Sequence, residues 1–217
     1  YFQFQDDNLT WDKNRIIKIC EGIKQRKIDI QFGTPNGVAI NKLDKEIIDA
    51  MVDSGLVRIS LAIESGSEYI RNEVMKKRLK TEKIYEIVEE CAKHKDLFIN
   101  GFFVAGMPQE TYKTLEETYQ MIKKLPLNKF AIFFATPYPG TELYKIAIDG
   151  GHLDEDFDTD LMNWKRPIMK NIVVDAKVLI EIQAQANKDA NTKEFIQEIE
   201  AKTIRNILCI LLMNIYK

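Results

Sequence analysis

The chain has 217 residues, 45% of them hydrophobic and 29% charged, which is the composition of an ordinary folded domain and excludes a disordered or fibrous one. A formal net charge of −2 leaves no global basic field, so nucleic acid is not an evident partner. Cys20, Cys91 and Cys209 lie far apart and are odd in number, which excludes a disulfide framework and points to a reducing compartment, the cytoplasm.

No stretch reads as a secretory signal, and the longest apolar run, Ile207 to Met213, falls far short of the ~20 residues that cross a bilayer. The alternating Tyr1-Phe2-Gln3-Phe4 looks like the inside of a strand, and the chain reads as a fragment that enters its fold late. Tyr1-Phe2-Gln3 reads equally as the scar of a protease-site tag.

In chain order, a strand over Tyr1 to Gln5 precedes a helix whose Ile16, Ile17, Ile19, Cys20 and Ile23 fall at helical spacing, with Thr10 as N-cap. Ile28 to Phe32 is the second strand. The turn Thr34-Pro35-Asn36-Gly37 and a helix with Ile47, Ile48, Met51 and Val52 inward follow it, closing at Gly55. Val57 to Ile63 alternates as a third strand and runs into Glu64-Ser65-Gly66-Ser67-Glu68, where the capping-box spacing of Ser65 and Glu68 predicts the start of a short helix. A further helix carries Ile84, Ile87, Val88 and Cys91.

Leu97 to Val104 is the fourth strand, followed by Ala105-Gly106-Met107-Pro108 and a helix with Leu115, Thr118, Met121 and Ile122 inward. Phe130 to Ala135 is the fifth, ending in Thr136-Pro137-Tyr138-Pro139-Gly140. Strands alternating with helices predict a parallel α/β sheet over residues 1–151. The acidic, turn-rich Asp154 to Asp160 opens a mainly helical extension over 152–217. Within it, Ile204 to Tyr216 reads as a core helix, a cover for the barrel mouth or a contact with another domain.

The loops after parallel strands gather on one rim, so their polar residues and glycines are candidates for chemistry. Glu64, at a strand end, suits a vicinal diol because a carboxylate accepts two hydrogen bonds; the plainer reading is a helix cap or an ion pair. Gly101 and Gly106 bracket an apolar strand and leave room for a flat ring, or mark a bulge or a packing contact. Asp6-Asp7 reads as turn chemistry, a metal pair or an acid/base pair, and Lys76-Lys77-Arg78 as a solvated face or an anion contact. Cys91 and His94 have CxxH spacing without a second pair, which argues against a metal site.

Taken together, FQDDNLTWD, PNGVAINKLDKEIIDAMVDSG, ISLAIESGSEYI, NGFFVAGMPQET and FFATPYPGTELY resemble the radical SAM superfamily, with closest likeness to the branch carrying a cobalamin-binding domain. The resemblance covers Phe4 to Gly151 and continues more weakly through PIMKNIVVDAKVLIEIQAQAN. It implies a partial (β/α)6-type, TIM-barrel-like fold lacking its first strand.

It also implies roles. Asp6, Asp7 and Asn8 stand where the family contacts the methionine amino group of S-adenosylmethionine (SAM). Glu64 and Ser65 match the ribose position, and Lys77 a basic position that meets the methionine carboxylate. Gly101 to Glu110, with Val104 and Gly106, present backbone to the adenine, and Thr136 to Thr141, with Pro137, close the adenine side.

The family's CxxxCxxC motif for a [4Fe-4S] cluster is absent, which truncation explains and which predicts that motif shortly before Tyr1. An intact relative would cleave SAM to a 5′-deoxyadenosyl radical and modify or methylate a substrate, with cobalamin in the nearest branch; the fragment alone would be inactive. The substrate is expected to be a small or lipid-like molecule, and the missing N-terminal domain of the same protein a partner. Two other readings stand beside this one: a non-catalytic barrel module that binds a nucleotide-like ligand or a protein, and a hydrolase using Asp6, Asp7 and Glu64.

Overall fold

The computed structural model describes residues 1–154, 156–170 and 173–185; the apolar segments at 204–216 lie outside them. Five parallel strands form one sheet in sequence order: β1 (Phe2–Gln3), β2 (Phe32–Ala39), β3 (Leu56–Glu64), β4 (Phe98–Ala105) and β5 (Lys129–Phe134). Parallel neighbours require a crossover, which the helices α1 (Lys13–Gln25), α2 (Lys45–Asp53), α3 (Thr81–Ala92) and α4 (Tyr112–Lys124) supply, and α5 (Glu142–Asp149) follows β5. The half-barrel expected from the sequence is the fold observed.

The two faces of the sheet follow from strand alternation. Ile59, Leu61 and Ile63 of β3, Ile99, Phe103 and Ala105 of β4, and Phe130, Ile132 and Phe134 of β5 pack with the buried helix residues in the main core. Ser60, Ala62 and Glu64, Asn100, Phe102 and Val104, and Ala131 and Phe133 take the opposite face. Arg58 stacks over Phe98, its register partner, and Phe102 meets Phe133 edge to face on that side.

Several boundaries differ from the sequence reading. α1 is capped by Asp12, whose side chain accepts from Arg15 N, whereas Thr10 is buried and donates to Asn8. Thr34-Pro35-Asn36-Gly37 is not a turn after β2 but an irregularity inside it. The register shifts between Thr34 and Val38, and Gly37 at φ +88 has its missing Cβ position only 3.2 Å from Phe102 Cδ2. The short helix expected here starts at residue 68 and passes into a π-helical turn, Ile70–Val74, but Ser65 is not its N-cap: its hydroxyl accepts from Ser67 N.

At the outer edge of β5, Phe134 N donates to Trp164 O at 2.9 Å and Gln183 Nε2 to Ile132 O at 2.6 Å, so the edge is covered by irregular chain and a helical segment at 176–185. Val174 and Leu179 join the main core, and Met162 and Met169 join a smaller one with Ile70, Met107, Ala135 and Ala147. The residues 156–185 that are described thus pack directly on the half-barrel. No helix among the described residues is long and apolar enough to cross a membrane.

Candidate active site at the strand-end rim

Glu64 ends β3 in a left-handed conformation, φ +72, where the pairing with β4 shifts register between Ala62 and Glu64. Few non-glycine residues adopt such a φ, and the kink turns the carboxylate at the rim. Lys77 Nζ meets Glu64 Oε1 at 2.6 Å, with side-chain exposures of 45% and 14%. Lys76 and Arg78 on either side of Lys77 are also left-handed, at φ +57 and +52. The basic run is therefore a bent segment folded back onto the strand end.

Ser65 is fully buried. Its hydroxyl shares a hydrogen bond with Thr118 Oγ1 at 3.1 Å and accepts from Ser67 N, while Gly66 N donates to the same Thr118 oxygen. A Cβ on Gly66 would stand 2.5 Å from Glu117 O and Thr118 Cα, so this loop seats directly on the α4 backbone. Arg71 is also fully buried. Its guanidinium donates to Ser65 O, Leu79 O and Thr81 Oγ1, and its pKa is lowered by desolvation.

After β4, Gly106 turns at φ +87 and its N–H donates to Glu110 Oε2 at 2.5 Å. Glu110 is buried, and burial pushes its carboxyl up to about 7. Its Oε1, Gln109 Oε1 and Asn100 Oδ1 are buried without a hydrogen-bond partner. Gly101 faces the other way: a Cβ there would meet Leu127, Ile63 and Phe103 within the main core. After β5, Thr136 donates to Phe134 O, Pro137 follows, and Thr141 caps α5.

A cavity of about 600 Å³ opens at this rim, walled by Tyr69, Met75, Val104, Met107, Phe133 and Trp164 and reached by Gln109 and Thr136. Its charged lining residues are Glu73, Lys76 and Glu142, the last two paired at 2.5 Å. Of the residues singled out from the sequence, Val104 and Thr136 line this cavity, and Glu64 and Lys77 meet each other at the end of β3. Glu110 and Gly106 shape the loop above Val104. At the end of β1, Asp6 pairs with Arg15 at 2.5 Å, which holds its carboxyl below the usual value, and accepts from Asn8 N; Asp7 is exposed.

Sequence reading missed Arg71, Tyr69, Met75 and Trp164. No local pattern marks Arg71 as buried, and Trp164 comes from a segment read as a separate extension. Thr118 carried a usable signal, being a hydroxyl on the apolar face of α4.

The family model of the radical SAM superfamily matches residues 2–122. The chain belongs to the radical SAM superfamily. A cytidylyl-2-hydroxyethylphosphonate methyltransferase from Streptomyces wedmorensis is 28% identical over 200 residues, 88% of this chain and 37% of that protein. An uncharacterised methyltransferase from Pyrococcus horikoshii is 33% identical over 173 residues, 77% of this chain and 36% of its own length. An anaerobic magnesium-protoporphyrin IX monomethyl ester cyclase from Rubrivivax gelatinosus is 24% identical across 91% of this chain and 35% of its own. The chain thus spans little more than a third of these curated relatives.

The radical SAM methyltransferase TsrM from Kitasatospora setae, solved with cobalamin and a [4Fe-4S] cluster, superposes with a TM-score of 0.54 at 13% identity, covering 61% of this chain and 27% of that one. Coproporphyrinogen III oxidase from Escherichia coli gives 0.51 at 14%, covering 59% and 30%. Both are likenesses of fold.

The superfamily uses SAM and a [4Fe-4S] cluster. The described cysteines do not fit a cluster: Cys20 and Cys91 are buried on different helices, and burial pushes the Cys91 thiol up to about 12, far from the thiolate a ligand must be. No group of His, Cys, Asp and Glu among the described residues could hold a metal ion.

Proposed function

We propose that this chain is the SAM-binding portion of a radical SAM enzyme of the cobalamin-associated methyltransferase branch, acting on a substrate not yet known. The observation that carries the reading is the Glu64–Lys77 pair beside an apolar cavity on one rim of the half-barrel. SAM offers a ribose diol, a carboxylate and an adenine. A carboxylate and an ammonium already in contact present a diol acceptor and a carboxylate partner without further ordering.

Val104, Met107 and Phe133 supply an apolar wall for a flat ring, and Gln109 Oε1, buried without a partner, is an acceptor for an exocyclic amino group. Glu110 fixes the loop that carries Met107 and Gln109 by accepting from Gly106 N. Asp6 to Asn8, held by Arg15, stand at the end of β1 for the methionine amino group.

In the superfamily a bound cluster would supply the electron for SAM cleavage; none of the described residues would hold it. The matches to methyltransferases and a cyclase support methylation or a related modification, and TsrM, solved with cobalamin, supports that cofactor. The phosphonate methyltransferase and the protoporphyrin cyclase name small molecules, whereas two more distant relatives name tRNA; a small or lipid-like substrate suits the cavity's aromatic walls. In the intact enzyme, residues 1–151 would form the barrel and 152–217 its extension.

The test is equilibrium dialysis of this chain against radiolabelled SAM, with the Glu64→Asn chain alongside. Saturable binding weakened by the substitution supports the reading, and equal binding by both chains removes Glu64 from it. Binding without SAM cleavage in a complete, cluster-reconstituted enzyme would favour a non-catalytic module instead.

A further inference from the structure

Among the described residues Arg71 heads the fully buried side chains in size, yet the carboxylate within ion-pair reach is Glu68 Oε2, at 3.7 Å and itself exposed, with Glu82 acting from further off. Its short contacts go to neutral acceptors: Nε to Leu79 O at 2.8 Å, Nη1 to Ser65 O at 2.5 Å and Nη2 to Thr81 Oγ1 at 2.7 Å. A guanidinium buried without a close carboxylate calls for a geometric reason, because a planar fork fixes several acceptors at once where an ammonium cannot. The acceptors supply it. Ser65 directly follows Glu64, and Leu79 comes two residues after Lys77, so the fork joins the two ends of the loop that closes the ion pair.

Its neighbour doubles the contact. Asn72 Nδ2 donates to Leu79 O at 3.1 Å, and Leu79 N donates to Asn72 Oδ1 at 2.8 Å. Lys77 N in turn donates to Arg71 O at 3.0 Å. The left-handed Lys76 and Arg78 between these anchors are what such an over-determined loop can sustain.

We propose that Arg71, with Asn72, is a positioning residue that clamps the 65–79 loop and sets Lys77 against Glu64 for ligand capture. The ligand half of this inference rests on the SAM reading above; the clamp itself does not.

Limited trypsin digestion reads the clamp directly, because Lys76, Lys77 and Arg78 are cleavage sites. Arg71→Met is expected to raise cleavage there about tenfold while sites on α1 and α4 keep their rates. Arg71→Lys should restore little of the protection, since one ammonium cannot hold three acceptors. Cleavage of Arg71→Met at the wild-type rate overturns the clamp. If Arg71→Met does not fold, Asn72→Ala loosens the same Leu79 anchor and is judged by the same criterion.

The link to Lys77 is read by SAM dialysis in a double-mutant cycle. Arg71→Met alone should weaken binding about tenfold, and no more than about twofold in the Lys77→Met background; equal losses in both would overturn positioning through Lys77. If the unmodified chain binds no SAM, the SAM reading fails, and the trypsin result alone decides the clamp.

Discussion

Lys77 Nζ lies 2.6 Å from Glu64 Oε1, and both ends of that contact sit on bent backbone. Among the described residues four non-glycines have a left-handed φ, and three of them are Glu64 and the two neighbours of Lys77. Such conformations cost about 1–3 kcal/mol each and persist where surrounding contacts over-determine them. Here the buried Arg71 fork and the Ser65–Thr118 contact do so.

Glu64→Asn follows from this directly. Asparagine tolerates a left-handed φ better than glutamate, and the half-exposed Lys77 partner makes the lost ion pair worth little. Stability by urea denaturation should hold or rise by up to about 1 kcal/mol, while SAM affinity falls at least about tenfold for lack of a charged diol acceptor. A destabilised variant with unchanged affinity would reverse both assignments.

Glu110 should make stability depend on pH. Its folded pKa of about 7 lies above the ordinary carboxyl value, so the folded state holds the proton more tightly than the unfolded state. That contribution is fully present below the unfolded pKa and is lost as pH rises through about 7, a change of a few kcal/mol. Denaturation of wild type and Glu110→Gln at pH 5, 6, 7 and 8 checks it: the difference between them should move in favour of the variant as pH rises. A pH-independent difference would mean that the carboxyl titrates normally.

Gly66→Ala is expected to be among the more damaging single changes. The added Cβ meets main-chain atoms of α4 at 2.5 Å, which cannot swing aside as a side chain could. A loss of about 2 kcal/mol or more in urea denaturation is predicted, with the fold retained. A near-neutral result would show that the 64–68 loop lifts from α4 at small cost.

Much of the architecture was legible in the sequence because helix periodicity and strand alternation are local. Ile47, Ile48 and Met51, then Ile84, Ile87, Val88 and Cys91, are buried as their spacing predicts, and Gly55 closes α2 at φ +113. Thr34-Pro35-Asn36-Gly37 reads as a turn after β2, but these residues form a kink within it, where Phe102 from β4 fills the space beside Gly37. That contact is set by a strand 65 residues away.

The site was legible only as a set of strand ends. Glu64 and Lys77 each stood out, but their contact depends on Arg71, whose burial is decided by the Ser65 and Leu79 carbonyls around it. Ser65 illustrates the same limit. Capping-box spacing with Glu68 is a local pattern, and the Thr118 hydroxyl, 53 residues on, takes it over.

Cys20 and Cys91 should behave as core residues. In the folded chain at pH 8 neither is expected to react with iodoacetamide, and both should react in urea, as peptide mapping would show. A Cys20→Ala, Cys91→Ala chain should take up no less iron than wild type on anaerobic reconstitution. Rapid native alkylation of Cys91, or iron lost with these two thiols, would place them in a cluster site after all.

In the proposed function SAM binding takes place at this rim. It is tested most directly by titrating the ¹⁵N-labelled chain with SAM and following backbone amide shifts. Saturable shifts concentrated at Glu64, Lys77, Val104, Gly106, Gln109 and Thr136 are expected, with their loss in the Glu64→Asn chain. Shifts confined to other surfaces, or none at millimolar SAM, would contradict it.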